Sequence, residues 1–248
     1  MATSSEKPKK QIFILSGQSN MSGRGGVRNR KWDGEVPQEC QPHPSVFRFS
    51  SSSLWEPASP PLHADIDYSK TCGVGPGLPF ARSLLPHLSS SAAIGLVPCA
   101  IGGTEIDLWG KGQPLYEDMV RRAKEAVAAG GGEIGAVLWF QGESDTLSAE
   151  AAEGYKGKME KLIEDLRSDL GLPSLPFIQV AIASGSEPWI DKVREAQFAI
   201  DMPNVVCVDA KGLPLNEDRL HLSTQAQVLL GNMLAEAYIN NFLNPPSK

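Results

Sequence analysis

The chain has 248 residues, of which 41% are hydrophobic and 21% charged, a balance that suits one large globular domain over 1–248 with no need of disulfides or a structural metal. A formal net charge of -6 argues against nucleic acid or an anionic membrane as the main partner, because either favours a basic surface. No stretch approaches the roughly 18 consecutive apolar residues of a membrane span.

The opening, "MATSSEKPKKQ", reads as a polar tail over 1–10 and lacks the apolar centre of a signal peptide, so a cytoplasmic location is expected for the chain as it stands. "IFIL" (12–15) is the first predicted strand. Residues 27–75, rich in Pro, Ser and Asp, are too long for a plain connection and read as an insertion wrapping the functional edge. A helix is expected over 76–88, opening near Pro76, then a strand at "AAIGLV" (92–97) and a helix over 114–129 from Pro114. "IGAVLWF" (134–140) is the next strand. Tyr155, Met159, Leu162, Ile163, Leu166 and Leu170 then recur at helical spacing over 148–170, between Ser148 and the Gly171-Leu172-Pro173 stop. "FIQVAI" (177–182), a helix over 188–200 and "VVCV" (205–208) follow. The last helix carries Leu230, Met233, Leu234 and Ala237, with Ser223 or Thr224 as N-cap.

Near-continuous apolar strands alternating with amphipathic helices imply βαβ units. The fold class is therefore α/β, a three-layer α/β/α sandwich around a parallel sheet of about five strands. Cys40, Cys72, Cys99 and Cys207 show no C-x-x-C spacing and are read as reduced thiols, without a metal.

In such sheets ligands bind beyond the carboxyl ends of the strands. The segments that follow the five runs are "SGQSN", "CAIGGTEID", "QGESD", "ASGSEPW" and "DAKGLPLNEDRLHLS", so Ser, Gln, Glu, Asp and His converge on one edge. Ser19 is the candidate nucleophile, and it needs a base with a group to orient that base. Of four histidines, His221 suits best, with Asp218 three residues earlier, although D-x-x-H alone equally fits a capping Asp beside an incidental His. His43 lies between prolines and His87 reads as a packed or capping imidazole in a helix. His63 with Asp65 and Asp67 is a rival constellation that reads more simply as a polar surface loop. Gly102, Gly103, Gln141 and the Ser19 N–H are the candidate oxyanion donors, Gly102 and Gly103 being alternatives. Trp32, Trp55, Trp109 and Trp189 suit sugar stacking or core packing. No G-x-S-x-G elbow is present, since position 21 is Met.

"GQSNMSGRG", "GGTEIDLW", "WFQGESD" and "DRLHLS", in this order, resemble the sialate O-acetylesterase-like branch of the SGNH hydrolases, carbohydrate esterase family six, and the chain looks like a plant-type member from about 15 to 225. The resemblance implies a flavodoxin-like fold and a serine esterase that removes acetyl groups from carbohydrates or small acetyl esters without a cofactor. It makes Ser19 the nucleophile, Asp218 and His221 its partners and Gln141 the side-chain oxyanion donor, with Gln18, Asn20 and Glu143 in support, Glu143 as a link to the serine loop. Two departures from the wider superfamily stand out: G-Q-S where many members have G-D-S, and "QGE" where many have Asn. Two other readings of the same fold are a non-catalytic carbohydrate-binding protein and an acetyltransferase using the same acyl-enzyme. The sequence fixes no oligomeric state.

Overall fold

The computed structural model describes residues 10–130 and 132–245. Apart from Lys10, the polar tail expected over 1–10 lies outside the described residues; Lys10 itself opens the first strand. In chain order the regular elements are β1 (Lys10–Gly17), α1 (Ser19–Ser22), β2 (Val27–Arg28), β3 (Lys31–Trp32), β4 (Val46–Phe49), β5 (Trp55–Pro57) and α2 (Gly77–Leu84). They continue with β6 (Ala93–Pro98), α3 (Pro114–Gly130), β7 (Gly132–Phe140), α4 (Ala149–Leu170), β8 (Phe177–Ala181), α5 (Ile190–Phe198), β9 (Val205–Asp209) and α6 (Thr224–Tyr238).

The five apolar runs are β1, β6, β7, β8 and β9, all parallel. β1 lies between β6 and β7, and its residues 12–17 are buried, which is why this strand carries no polar face. The spatial order of the five is 6-1-7-8-9, the doubly wound arrangement in which the chain reverses direction across the sheet at β1. α2 packs on α6 and α4 packs on α3 and α5, which makes two helical layers, one on each side of the sheet.

The sheet has seven strands, not about five. β4 and β5 form an antiparallel hairpin inside the 27–75 segment, and β4 adds in parallel to β6 at the sheet edge. These strands are only three and four residues long and mix Arg, Glu and Pro with aromatics, so they carry no continuous apolar signal. Their anchorage is tertiary: Trp55 packs on Phe49 at 5.0 Å between ring centroids and donates from Nε1 to Ala126 O at 3.1 Å. The segment is thus partly sheet and only partly a wrap around the functional edge.

Caps follow the sequence closely. Ser148 Oγ accepts from Ala151 N, Gly171 closes α4 at φ 66°, and Ser223 Oγ accepts from Ala226 N at the start of α6. Among the described residues no helix is long and apolar enough to cross a membrane.

Candidate active site

β1 ends in a backbone contact that only glycine permits. Gly17 sits at φ 124°, and a Cβ there would lie 2.2 Å from the Phe140 carbonyl oxygen. Gln18 N then donates to that same carbonyl at 2.8 Å, pinning the serine loop to the end of β7. The chain turns at once into α1, whose first residue is Ser19, and Gly23 N closes the turn on Ser19 O at 2.9 Å.

The partner imidazole arrives from the loop between β9 and α6. A bridge between Leu215 and Leu222, with Asn216 N donating to His221 O at 2.7 Å, folds this loop back on itself. Asp218 Oδ1 accepts from the backbone N–H groups of Leu220 and His221, both at 2.9 Å, an Asx turn that places the carboxylate beside its own histidine. Asp218 Oδ2 lies 2.7 Å from His221 Nδ1, and His221 Nε2 lies 2.9 Å from Ser19 Oγ. A carboxylate only accepts, so Nδ1 carries the proton and Nε2 is left to accept from the serine hydroxyl. Burial raises the Asp218 pKa, but the His221 backbone N–H, the imidazole and the Leu220 N–H outweigh it and hold the group below the ordinary carboxylate value.

Asn20, fully buried, locks these two loops together. Its Oδ1 accepts from Leu222 N at 2.9 Å, and its Nδ2 donates to Glu143 Oε1 at 2.6 Å and to Leu220 O at 3.3 Å. Glu143 sits beneath the site with its second oxygen unpartnered among the described residues. Burial, reinforced by the charge of Asp145 and opposed by the Asn20 hydrogen bond, pushes its pKa up to about 7. Asn20 also heads the sequence N-M-S, an acceptor pattern whose asparagine is here inside the protein.

The expected oxyanion donors separate into free and occupied groups. Gln141, expected to donate from its side chain, does not face Ser19. Its Nε2 donates to Thr104 O at 2.9 Å, to Gln18 Oε1 at 3.3 Å and to Asp145, and the residue is fully buried behind the site. That amide is a strut between the ends of β1, β6 and β7. Gln18 occupies the position facing the cavity instead. Its Oε1 accepts from Gly142 N and Ser144 N as well as from Gln141, while its Nε2 meets no acceptor among the described residues. Gly102 N donates to Asp67 Oδ2 at 3.2 Å, whereas Gly103, at φ 78°, and Ser19 leave their N–H groups unpartnered among the described residues.

These groups line a cavity of about 300 Å³ together with Arg24, Lys70, Glu143 and Ser144, and with the exposed side chains of Leu147 and Leu220 at the mouth. It lies at the small end of ligand sites, which run from about 300 to 1,000 Å³. Trp32, Trp55, Trp109 and Trp189 do not line it. Trp109 is buried edge-on against Trp139 with centroids 5.3 Å apart.

Two histidine readings are corrected. His87 is exposed at the end of a helix, which removes the packed alternative of its packed-or-capping reading. His63 and Asp67 are not surface residues: each is 1% exposed. His63 Nε2 lies 3.4 Å from Leu15 O, and burial holds its pKa down to about 3, so the ring stays neutral. No group of three or more His, Cys, Asp and Glu suited to a metal ion occurs among the described residues.

A family model described as "Carbohydrate esterase, sialic acid-specific acetylesterase" matches residues 9–240. The chain belongs to that family. This esterase is similar to a probable carbohydrate esterase of Arabidopsis thaliana, 59% identical over 242 residues that cover 95% of this chain and 92% of the relative. A crystal structure of an A. thaliana protein, 58% identical, superposes with a TM-score of 0.91 and covers 95% of this esterase and 100% of the solved chain. A probable 9-O-acetyl-N-acetylneuraminic acid deacetylase of Escherichia coli (strain K12) is 27% identical over 205 residues, 64% of this chain and 60% of that protein.

Proposed function

We propose that this esterase removes O-acetyl groups from carbohydrates by a Ser19–His221–Asp218 triad and an acetyl-enzyme. The observation that carries the proposal is the unbroken line of contacts from Asp218 Oδ2 through the imidazole to Ser19 Oγ, at 2.7 and 2.9 Å, opening on a cavity. The 2.9 Å contact lies within the reach a base needs to take a hydroxyl proton, and the 2.7 Å contact within the reach a carboxylate needs to orient that base. His221 Nε2 accepts the proton as Ser19 Oγ forms its bond to the acetyl carbonyl carbon. The carbonyl electrons move onto oxygen, which is met by the free N–H groups of Ser19 and Gly103 and by the Gln18 amide. When the tetrahedral centre collapses, the bond to the sugar oxygen breaks and that oxygen takes the proton from Nε2. Water, deprotonated by the same nitrogen, then releases acetate and restores the serine. Asp218 orients the ring and stabilises its positive charge in both half-reactions without itself taking the proton.

Support for the substrate class comes from the family match and from the relative described as a 9-O-acetyl deacetylase. A site with its donors in place and a mouth flanked by Leu147 and Leu220 suits a small acyl group on a larger alcohol. The test is acetate release from acetylated xylan, acetylated pectin, 9-O-acetyl sialic acid and an aryl acetate, with Ser19→Ala in parallel. The proposal expects turnover on at least one sugar ester and its loss in Ser19→Ala. Release that persists in the variant, or is confined to the aryl ester, contradicts it.

A further inference from the structure

The 27–75 segment sends one carboxylate under the site. Asp67 Oδ2 receives three donors from two separate pieces of chain: Arg24 Nη2 at 2.5 Å and Ser22 Oγ at 3.0 Å from the serine loop, and Gly102 N at 3.2 Å from the turn after β6. Ser22 ends the short helix that begins with the nucleophile, and Gly102 opens the turn after β6. Arg24 Nη1 adds bonds to Ser22 Oγ at 2.8 Å and to Gly23 O at 2.9 Å, so guanidinium and carboxylate together brace the serine helix from below. Neither side chain is free to relax, with 8% of Arg24 and none of Asp67 exposed.

Gly102 is fitted against this pair. A Cβ at that position would fall 2.5 Å from Arg24 Nη2, 3.1 Å from Asp67 Oδ2 and 3.4 Å from Ser19 Cβ. The next residue, Gly103, faces open space with its N–H unpartnered among the described residues. Holding the Gly102 N–H therefore sets the depth and tilt of the peptide that follows it.

We propose that Asp67, held by Arg24, is a positioning residue for acyl transfer: its Oδ2 ties the Gly102–Gly103 turn to the serine helix so that the Gly103 N–H meets the developing oxyanion. The proposal rests on the serine-esterase reading above. The carboxylate touches no reacting atom; it acts through the glycine turn. Oxyanion donors reward exact placement, since losing one costs about 100–1,000-fold in kcat. A donor left in place but untethered is expected to cost about 10–100-fold.

The experiment compares wild type, Ser19→Ala, Asp67→Asn and the charge-neutral double variant R24M/D67N. Replacing both partners of a buried pair by uncharged side chains of similar size is often tolerated in stability, so the double variant carries the test if Asp67→Asn does not fold. For each protein kcat and KM are measured on an acetyl ester, together with the inhibition constant of phenylboronic acid, whose serine adduct places an oxygen where the oxyanion forms. The expected result is a fall in kcat of about 10–100-fold in both Asp67 variants, KM within threefold of wild type, and boronate affinity weakened by the same factor as kcat/KM. A purely structural role would lower the melting temperature without that proportionality. Return of kcat to within twofold of wild type in R24M/D67N would mean that only charge balance mattered, and the proposal would be overturned. Unchanged boronate affinity alongside a reduced kcat would overturn it as well. If wild type itself shows no turnover and no Ser19-dependent boronate binding, the serine-esterase reading fails and takes this proposal with it.

Discussion

Replacing Asn20 by Asp changes one atom of the clasp between the serine and histidine loops, and the structure sets its consequence. The oxygen that accepts from Leu222 N is retained, but the donor facing Glu143 Oε1 at 2.6 Å and Leu220 O at 3.3 Å becomes a second carboxyl oxygen. Two buried carboxyls at that separation cannot both ionise, so the pair must keep a proton that either group alone would release. Wild-type Glu143 already titrates near 7, well above its unfolded value, because burial disfavours its charge. A carboxyl raised in the folded state contributes stability below its unfolded pKa and loses it as pH rises to the folded one. Wild type therefore stops losing this contribution near pH 7, whereas Asn20→Asp goes on losing it by about 1.4 kcal/mol per pH unit until the pair finally ionises. Facing the Leu220 carbonyl without a donor adds a pH-independent cost of about 1 kcal/mol unless the shared proton turns that way. Urea unfolding at pH 5.5, 7 and 8.5 reads both. The expected outcome is a small deficit at pH 5.5 that widens by about 2 kcal/mol between pH 7 and 8.5. A deficit that stays constant across the three pH values, or narrows as pH rises, would show that Asn20 does not face a buried Glu143 carboxyl and would refute the reasoning.

Glu143→Gln should remove Glu143's share of the stability loss between about pH 4.5 and 7, roughly 3 kcal/mol for a shift of this size, and leave the share of Asp145, which burial raises to about 6; denaturant midpoints across that range measure it. Gln141→Ala removes a strut and leaves the carboxyl of Asp145 short of a donor, so the melting temperature should fall by several degrees while kcat below it stays within about fivefold. Gln18→Ala, by contrast, should lower kcat by about 100-fold with a smaller change in KM, as expected when a transition-state donor is lost. Asp218→Asn keeps the Asx turn but leaves Nδ1 without a carboxylate, and kcat should fall by about 100–10,000-fold in steady-state assays on an acetyl ester.

Which parts of this architecture were legible follows from how locally each is encoded. β6 and β8 are buried along their whole length and β1 from Ile12 onward, while β7 and the edge strand β9 are partly buried, and all five carry near-continuous apolar runs that stand out unaided. The helix over 148–170 carries its own start and stop in Ser148 and Gly171. Ser19, Asp218 and His221 fall just beyond strand ends, where a parallel sheet gathers its functional groups, and the structure brings the three together. β4 and β5 escaped because Arg48, Glu56 and Pro57 break any apolar or alternating pattern, and their pairing depends on Trp55 reaching α3. Asp67 escaped for a related reason: "LHADID" is polar in composition, and only its pairing with Arg24, 43 residues earlier, makes burial tolerable. Gln141 follows the end of β7, where a donor to the site belongs. Its orientation is decided by Asp145, Thr104 and Gln18, acceptors from three separate segments that no local pattern reveals.

The hydrolytic account stands on a covalent intermediate at one hydroxyl. Rapid quenching of the enzyme with an aryl acetate, followed by intact mass and peptide mapping, measures it directly. An added acetyl group on Ser19 that accumulates within the first turnover, and is absent from Ser19→Ala, is the predicted result. Steady hydrolysis with no acetyl group on Ser19, or with the label on another residue, would contradict it.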